Sequence, residues 1–458
     1  MTTSPPPRIF PTQLLAAPVW RRVASALLVY LLSLGGASAA KFCVAPDGND
    51  ANPGTKERPF ASLQRAQQAA SPGDFVFIRG GTYQMKDSDI ARRDSFLAAL
   101  VYLDKSGLQG KPISYHAWPG ERPVFDCSRV KPPGLRISAF RVRASWVHLK
   151  GLEVTGVQVT ATGHTQSICF ENFGDHNVYE NLSMHDGQAI GLFITRGSNN
   201  LVLNCDAYRN HDSTSEGGRG GNTDGFGCHV PGRGANNVFK GCRAWFNSDD
   251  GFDCINSNDA ASFVNCWALY NGYSVDFKPL GDGNGFKAGG YGIAPGTRFP
   301  NPVPRHRVVQ CLAVRNRSAG FYANHHPGGI DWIHNSACRN SVNFNFLGRN
   351  AAGTADIPGG GHKILNNLAY GSTRDLRNLD LAASQHAGNS FDQVRKLTDA
   401  DFLSLDEASL IAPRQANGDL PVIRFLHLAK GNPLRDTGVP AEMPYSGTAP
   451  DPGAFESP

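Results

Sequence analysis

The sequence has 458 residues, 44 Lys and Arg against 39 Asp and Glu, a formal charge of +5, and 51 glycines beside only 4 methionines. Arg8, Arg21 and Arg22 are the only charged residues among the first forty, so the rest of the chain is nearly neutral, which excludes the strongly basic surface of a nucleic-acid binder. Abundant glycine, scattered asparagine and little methionine fit a turn-rich β protein better than a helical one.

In chain order, an apolar run from Val23 to Leu34 ends in Gly-Gly-Ala-Ser-Ala-Ala at 35 to 40. This is the pattern of a secretory signal peptide cleaved near Ala39 or Ala40, and the run is shorter than the roughly 17 residues that a membrane span requires. No later stretch reads as transmembrane. The mature protein is therefore expected to be secreted, extracellular or periplasmic, free of the membrane and monomeric. The remainder is longer than one ordinary globular core usually holds, yet no Pro- or Ser-rich linker divides it. An elongated repeat architecture reconciles the two, with a signal peptide at 1–40, a β-helical domain at 41–371 and a tail at 372–458 packing on it.

Ser62 to Ala70 alternates like a short amphipathic helix before a strand at Phe75 to Arg79, and reads as a cap on the first coil. Weak coils come next, around Trp146 to Val154, Ile168 to Asn181 and Gly191 to Asn204. A clearer frame then recurs: Cys205, Ala207, Asn210; Cys242, Ala244, Asn247; Cys266, Ala268, Asn271; Cys311, Ala313, Asn316; and a degenerate Asn335, Ala337, Asn340. Alternate positions are small or apolar, the period of a strand with one buried face. The asparagines recur at a basic interval of about 24 residues, lengthened twice by insertions, which matches the stacked coils of a single-stranded, right-handed parallel β-helix. Asparagine is an ordinary turn residue when met singly; five in register predict amides bonded in a ladder along the axis. The ten cysteines, mostly in the inward file of these strands, are expected to pack as core residues, with a Cys228–Cys254 bridge as the alternative.

A second strand comes after each asparagine: Gly225-Phe226-Gly227, Gly251-Phe252-Asp253, Gly285-Phe286-Lys287 and Gly320-Phe321-Tyr322. The phenylalanines are predicted to stack inward, leaving Gly227, Asp253, Lys287 and Tyr322 as an outward file. The same alignment puts Asp224, Asp250 and Asn284 in one file, with Asp249 joining from the turn. Each acid alone could be a plain turn residue. Converging, Asp224, Asp249, Asp250 and Asp253 would repel one another unless a cation sat among them, and calcium accepts several carboxylates in irregular geometry where zinc has no His or Cys set here. Arg219, His229 and Lys278 are candidate basic substrate contacts, each also readable as plain surface.

These motifs, Asn-Thr-Asp-Gly-Phe at 222–226, Asp-Asp-Gly-Phe-Asp at 249–253 and Gly-Asn-Gly-Phe-Lys at 283–287, resemble those of the polysaccharide lyases typified by the family 9 pectate lyases. The resemblance extends across most of the mature chain, including Pro46 to Tyr83 and the tail at Ala449 to Glu456. It implies that Asp224, Asp249, Asp250 and Asp253 ligate calcium and that Lys287 is the base for β-elimination of an acidic polysaccharide, pectate first among uronate polymers. The residues agree: elimination removes the C5 proton of a uronate, acidified when its carboxylate is bound to a metal ion, and calcium with limited hydration would lower the lysine. Two alternatives stand beside it, a β-helix glycoside hydrolase using Asp249 and Asp250, and a non-catalytic calcium-dependent carbohydrate-binding or adhesion β-helix.

Overall fold

Along most of the short strands the inward residues, two apart, are buried and apolar, and the same positions recur in coil after coil. In the computed structural model, which describes residues 39–232, 236–292, 296–393 and 395–457, those strands stack into three long sheets. They comprise 12, 10 and 11 strands among the described residues, and each strand pairs with its counterpart in the coils before and after. The pairing is parallel throughout the first two sheets, and the third adds one short antiparallel strand at its start. The architecture is a parallel β-helix. Ala40 to Pro458 form one compact unit. The expected signal peptide lies almost wholly outside the described residues, and no described helix is long and apolar enough to cross a membrane.

The cap is as expected: a helix spans Leu63–Ala69, with the Ser62 side chain accepting from the Arg65 N–H, and Leu63 and Ala66 buried in the core. At the other end the expected boundary at 371 falls too early. Strands Leu376–Arg377 and Gln385–Ala387 still pair in parallel with preceding coils, and Asn389 completes an amide file. Short strands without the Gly-Phe signal concealed that last coil. The tail beyond it lays Phe402, Leu410, Leu420 and Phe425 on Trp245, Trp267 and Leu312, on the outer side of the second sheet.

The asparagine ladder is continuous: the amide of Asn210 donates to Asn247, Asn247 to Asn271, Asn271 to Asn316 and Asn316 to Asn340, at 2.9–3.1 Å. The cysteines are all free and buried. Their file Cys205, Cys242, Cys266, Cys311 passes into a second asparagine file, Asn335 to Asn367 to Asn389. Asn271→Ala would leave the Asn247 N–H, the Ala244 carbonyl and the Asn316 amide oxygen short of partners. Buried groups left unpaired cost about 1–3 kcal/mol each. A loss of about 3 kcal/mol in unfolding free energy is expected on that basis, and an unchanged denaturation midpoint would remove the ladder's energetic role.

A further buried cluster adds a pH dependence. His326 and His362 accept backbone N–H groups through Nδ1, and the His306 and His326 rings lie 4.7 Å apart. Burial holds His326 down to about 4 and His362 to about 3, whereas in the unfolded chain each protonates near pH 6.5. Between those values the unfolded chain binds more protons, so stability present above about pH 6.5 is expected to fall as pH drops toward 4. Denaturant midpoints measured from about pH 7.5 down to about 4.5 should show a shallower fall for His326→Gln. An identical slope would mean that the imidazole is not held neutral.

Candidate active site

The Gly-Phe pairs set the site. Phe226, Phe252, Phe286 and Phe321 stack face to face in the interior with centroids 4.7–5.1 Å apart. The glycine before each is required by crowding: a Cβ on Gly251 would stand 2.7 Å from the Gly285 carbonyl and 2.8 Å from the Asn271 amide. The strand is thereby drawn against the asparagine ladder, and the residues flanking Gly-Phe turn outward. The register pairs Gly227 with Asp253, Asp253 with Lys287, and Lys287 with Tyr322, the predicted outward file.

Carboxylate oxygens of Asp224, Asp249 and Asp250 come within 4.8 Å of one another, and all three residues are buried. Each is held by the backbone: Asp224 accepts from the Asp250 N–H, Asp249 from the Asp282 N–H, and Asp250 from both the N–H and the side-chain amide of Asn284. Asp253 lies outside that trio. Its Oδ1 accepts from the Ile255 N–H and its Oδ2 from Lys287 Nζ at 3.0 Å. Lys287 Nζ also lies 3.1 Å from Asp250 Oδ2, a buried oxygen to which no hydrogen bond is aligned. The Lys287 side chain is 15% exposed, more open than either aspartate it pairs with.

The electrostatics result from that crowding. Burial, then Asp249, Asp253 and Asp250, push the Asp224 carboxyl well above the usual range, and burial with Asp250 does the same to Asp249. Burial would lower the Lys287 ammonium, but Asp253 and Asp250 outweigh it and hold it above the ordinary lysine range. The lowered amine expected from the sequence is thus the reverse of what these carboxylates impose by themselves. Three buried acids crowded within 4.8 Å fit a hard divalent cation, and neutralising them would release the hold on Lys287.

Of the candidate basic contacts, His229 is at the site, its Nε2 3.8 Å from Asp253 Oδ1 and its ring edge-on to Phe193 at 4.6 Å. Arg219 and Lys278 are exposed, and neither side chain forms a hydrogen bond or ion pair among the described residues. Asn284 received no role from sequence reasoning. Its signal was present, since Gly-Asn-Gly-Phe-Lys aligned with Asp-Asp-Gly-Phe-Asp sets an amide opposite Asp250.

The family model described as "Pel9A-like, right handed beta helix region" matches residues 42–366. Pectate lyase L of Dickeya chrysanthemi is 33% identical over 430 residues, covering 93% of this chain and 92% of its own. Among solved structures, a rhamnogalacturonan lyase is 44% identical with a TM-score of 0.83, covering 86% of this chain and 97% of its own. The pectate lyase Pel9A is 32% identical with a TM-score of 0.73, covering 92% of this chain and 98% of its own.

Proposed function

The chain belongs to the Pel9A-like, right-handed β-helix family, and from that premise we propose a calcium-dependent lyase that cleaves a uronate polymer, pectate first, by β-elimination. As a member of that family it is a polysaccharide lyase. The observation that carries the finer reading is Lys287 Nζ set 3.0 Å from Asp253 and 3.1 Å from Asp250, at the rim of three buried carboxylates.

Asp224, Asp249 and Asp250 would hold calcium, with Asp253 as the fourth ligand or as the group that orients Lys287. A bound cation would acidify the C5 proton by binding the uronate carboxylate. Lys287, the one lysine paired with those aspartates among the described residues, is the group whose neutral amine would accept the proton once its carboxylate partners are neutralised. Its contacts with Asp253 and Asp250 place the head group at the rim of the carboxylate niche, so proton acceptance costs little reorientation. A hydrolase built on Asp249 and Asp250 would leave Lys287 without a role.

A rhamnogalacturonan backbone is the second substrate reading, favoured by the 44% identity to a lyase of that name. The test is to incubate the protein with pectate and with rhamnogalacturonan and track ultraviolet absorbance, since elimination leaves a C4–C5 double bond. Absorbance from pectate supports the first reading and from rhamnogalacturonan alone the second. New reducing ends without absorbance would refute elimination. Export, and action as a monomer on polysaccharide outside the cell, accompany this reading.

A further inference from the structure

The turn between the first and second sheets, at the corner of the coil opposite the lyase face, is a single left-handed residue: Asn204, Gly241, Asn265 and Gln310 in successive coils, with φ between 50° and 65°. The tail reaches this corner at Asn204, which donates to Asp419, and at Gly241, whose carbonyl accepts from Arg414, but among the described residues it makes no hydrogen bond to the Asn265 or Gln310 side chains. A cleft of about 770 Å³ remains between them, with Asn265 and Gln310 on one wall, Phe455 and His427 on the other, and Trp267 beneath. Phe455 stacks on His427 at 4.8 Å and meets Trp267 edge-on.

Three features of this lining point to a ligand. Trp267 is 1% exposed, yet its indole N–H has no acceptor, and His427 Nδ1 is likewise buried without a partner. The Asn265 and Gln310 side chains are half-buried and make no side-chain hydrogen bond among the described residues. The charged groups of the lining are Glu180, Asp419 and Glu456 against Lys240, an acidic balance that repels a polyuronate. Amides one coil apart, about 4.8 Å, match the length of one pyranose residue, and aromatic rings beside unpaired donors and amides suit hydroxyl-rich rings.

We propose that this cleft binds an uncharged oligosaccharide, at a site separate from the lyase face. Gly241 already fills an equivalent corner, so glycine at 265 and 310 keeps the left-handed turn while removing both amides. The full chain, in chelator, is titrated calorimetrically with cellotetraose, xylotetraose, galactotetraose and arabinotetraose. At least one is expected to bind, about tenfold more weakly to the Asn265→Gly/Gln310→Gly protein, with Gln310→Gly alone intermediate and turnover of acidic polymer unchanged in both. Heat from none of the four, equal binding by the variants, or displacement of the tetraose by trigalacturonate would overturn the proposal. The probes are uncharged and the readout is heat, so the outcome does not depend on whether the lyase reading holds.

Discussion

Lys287→Ala is expected to lower turnover by about 10² to 10⁴, the usual worth of a general base, and further if no water can substitute. The positional reason is specific: among the described residues Lys287 alone supplies an ammonium to the niche, within 3.1 Å of Asp250 and Asp253, and as an ammonium it cannot itself ligate a cation. Calcium affinity should therefore be retained or rise, because the variant also loses a positive charge beside the acids. The two readouts must separate. A variant that lost calcium binding together with turnover would assign Lys287 a structural role, and near wild-type unsaturated product would transfer the base elsewhere.

Asp224→Asn should have the second-largest effect, and its signature lies in stability as well as rate. The amide can still accept from the Asp250 N–H as the carboxylate does at 3.2 Å, so the turn is kept. One of three mutually repelling buried charges is removed. In chelator the variant should melt at or above the wild type. Calcium at roughly a hundred times its Kd should stabilise the wild type by about 2.7 kcal/mol and the variant far less. Activity should fall by at least about 100-fold, as losses around metal sites commonly do. Equal stabilisation of both proteins by calcium would remove Asp224 from the cation site.

Much of this arrangement was legible because a β-helix repeats its geometry coil by coil. Once Gly225-Phe226, Gly251-Phe252 and Gly285-Phe286 are aligned, register alone gives the spatial neighbours of Asp253 and Lys287. The same logic found the asparagine ladder. Periodicity is silent elsewhere. Asp253 shares its file with Lys287, but which acids turn their oxygens toward one another depends on rotamers and backbone donors, and Asp253 spends its oxygens on Ile255 and Lys287. The direction of the Lys287 shift depends on a balance between burial and four carboxylates that no spacing reports. The last coil, at Leu376–Arg377 and Gln385–Ala387, lacked the Gly-Phe and Cys-Ala-Asn signals. The corner cleft is made by residues far apart in the chain, Gln310 against Phe455.

Calcium-dependent elimination is tested most directly by one measurement: the ultraviolet progress curve of the wild-type protein on a uronate polymer, first in excess chelator and then after calcium is added to the same cuvette. A base poised beside an empty carboxylate cluster predicts a flat trace that turns into a steady rise of unsaturated product on addition of calcium. A trace already rising at its full rate in chelator would contradict it.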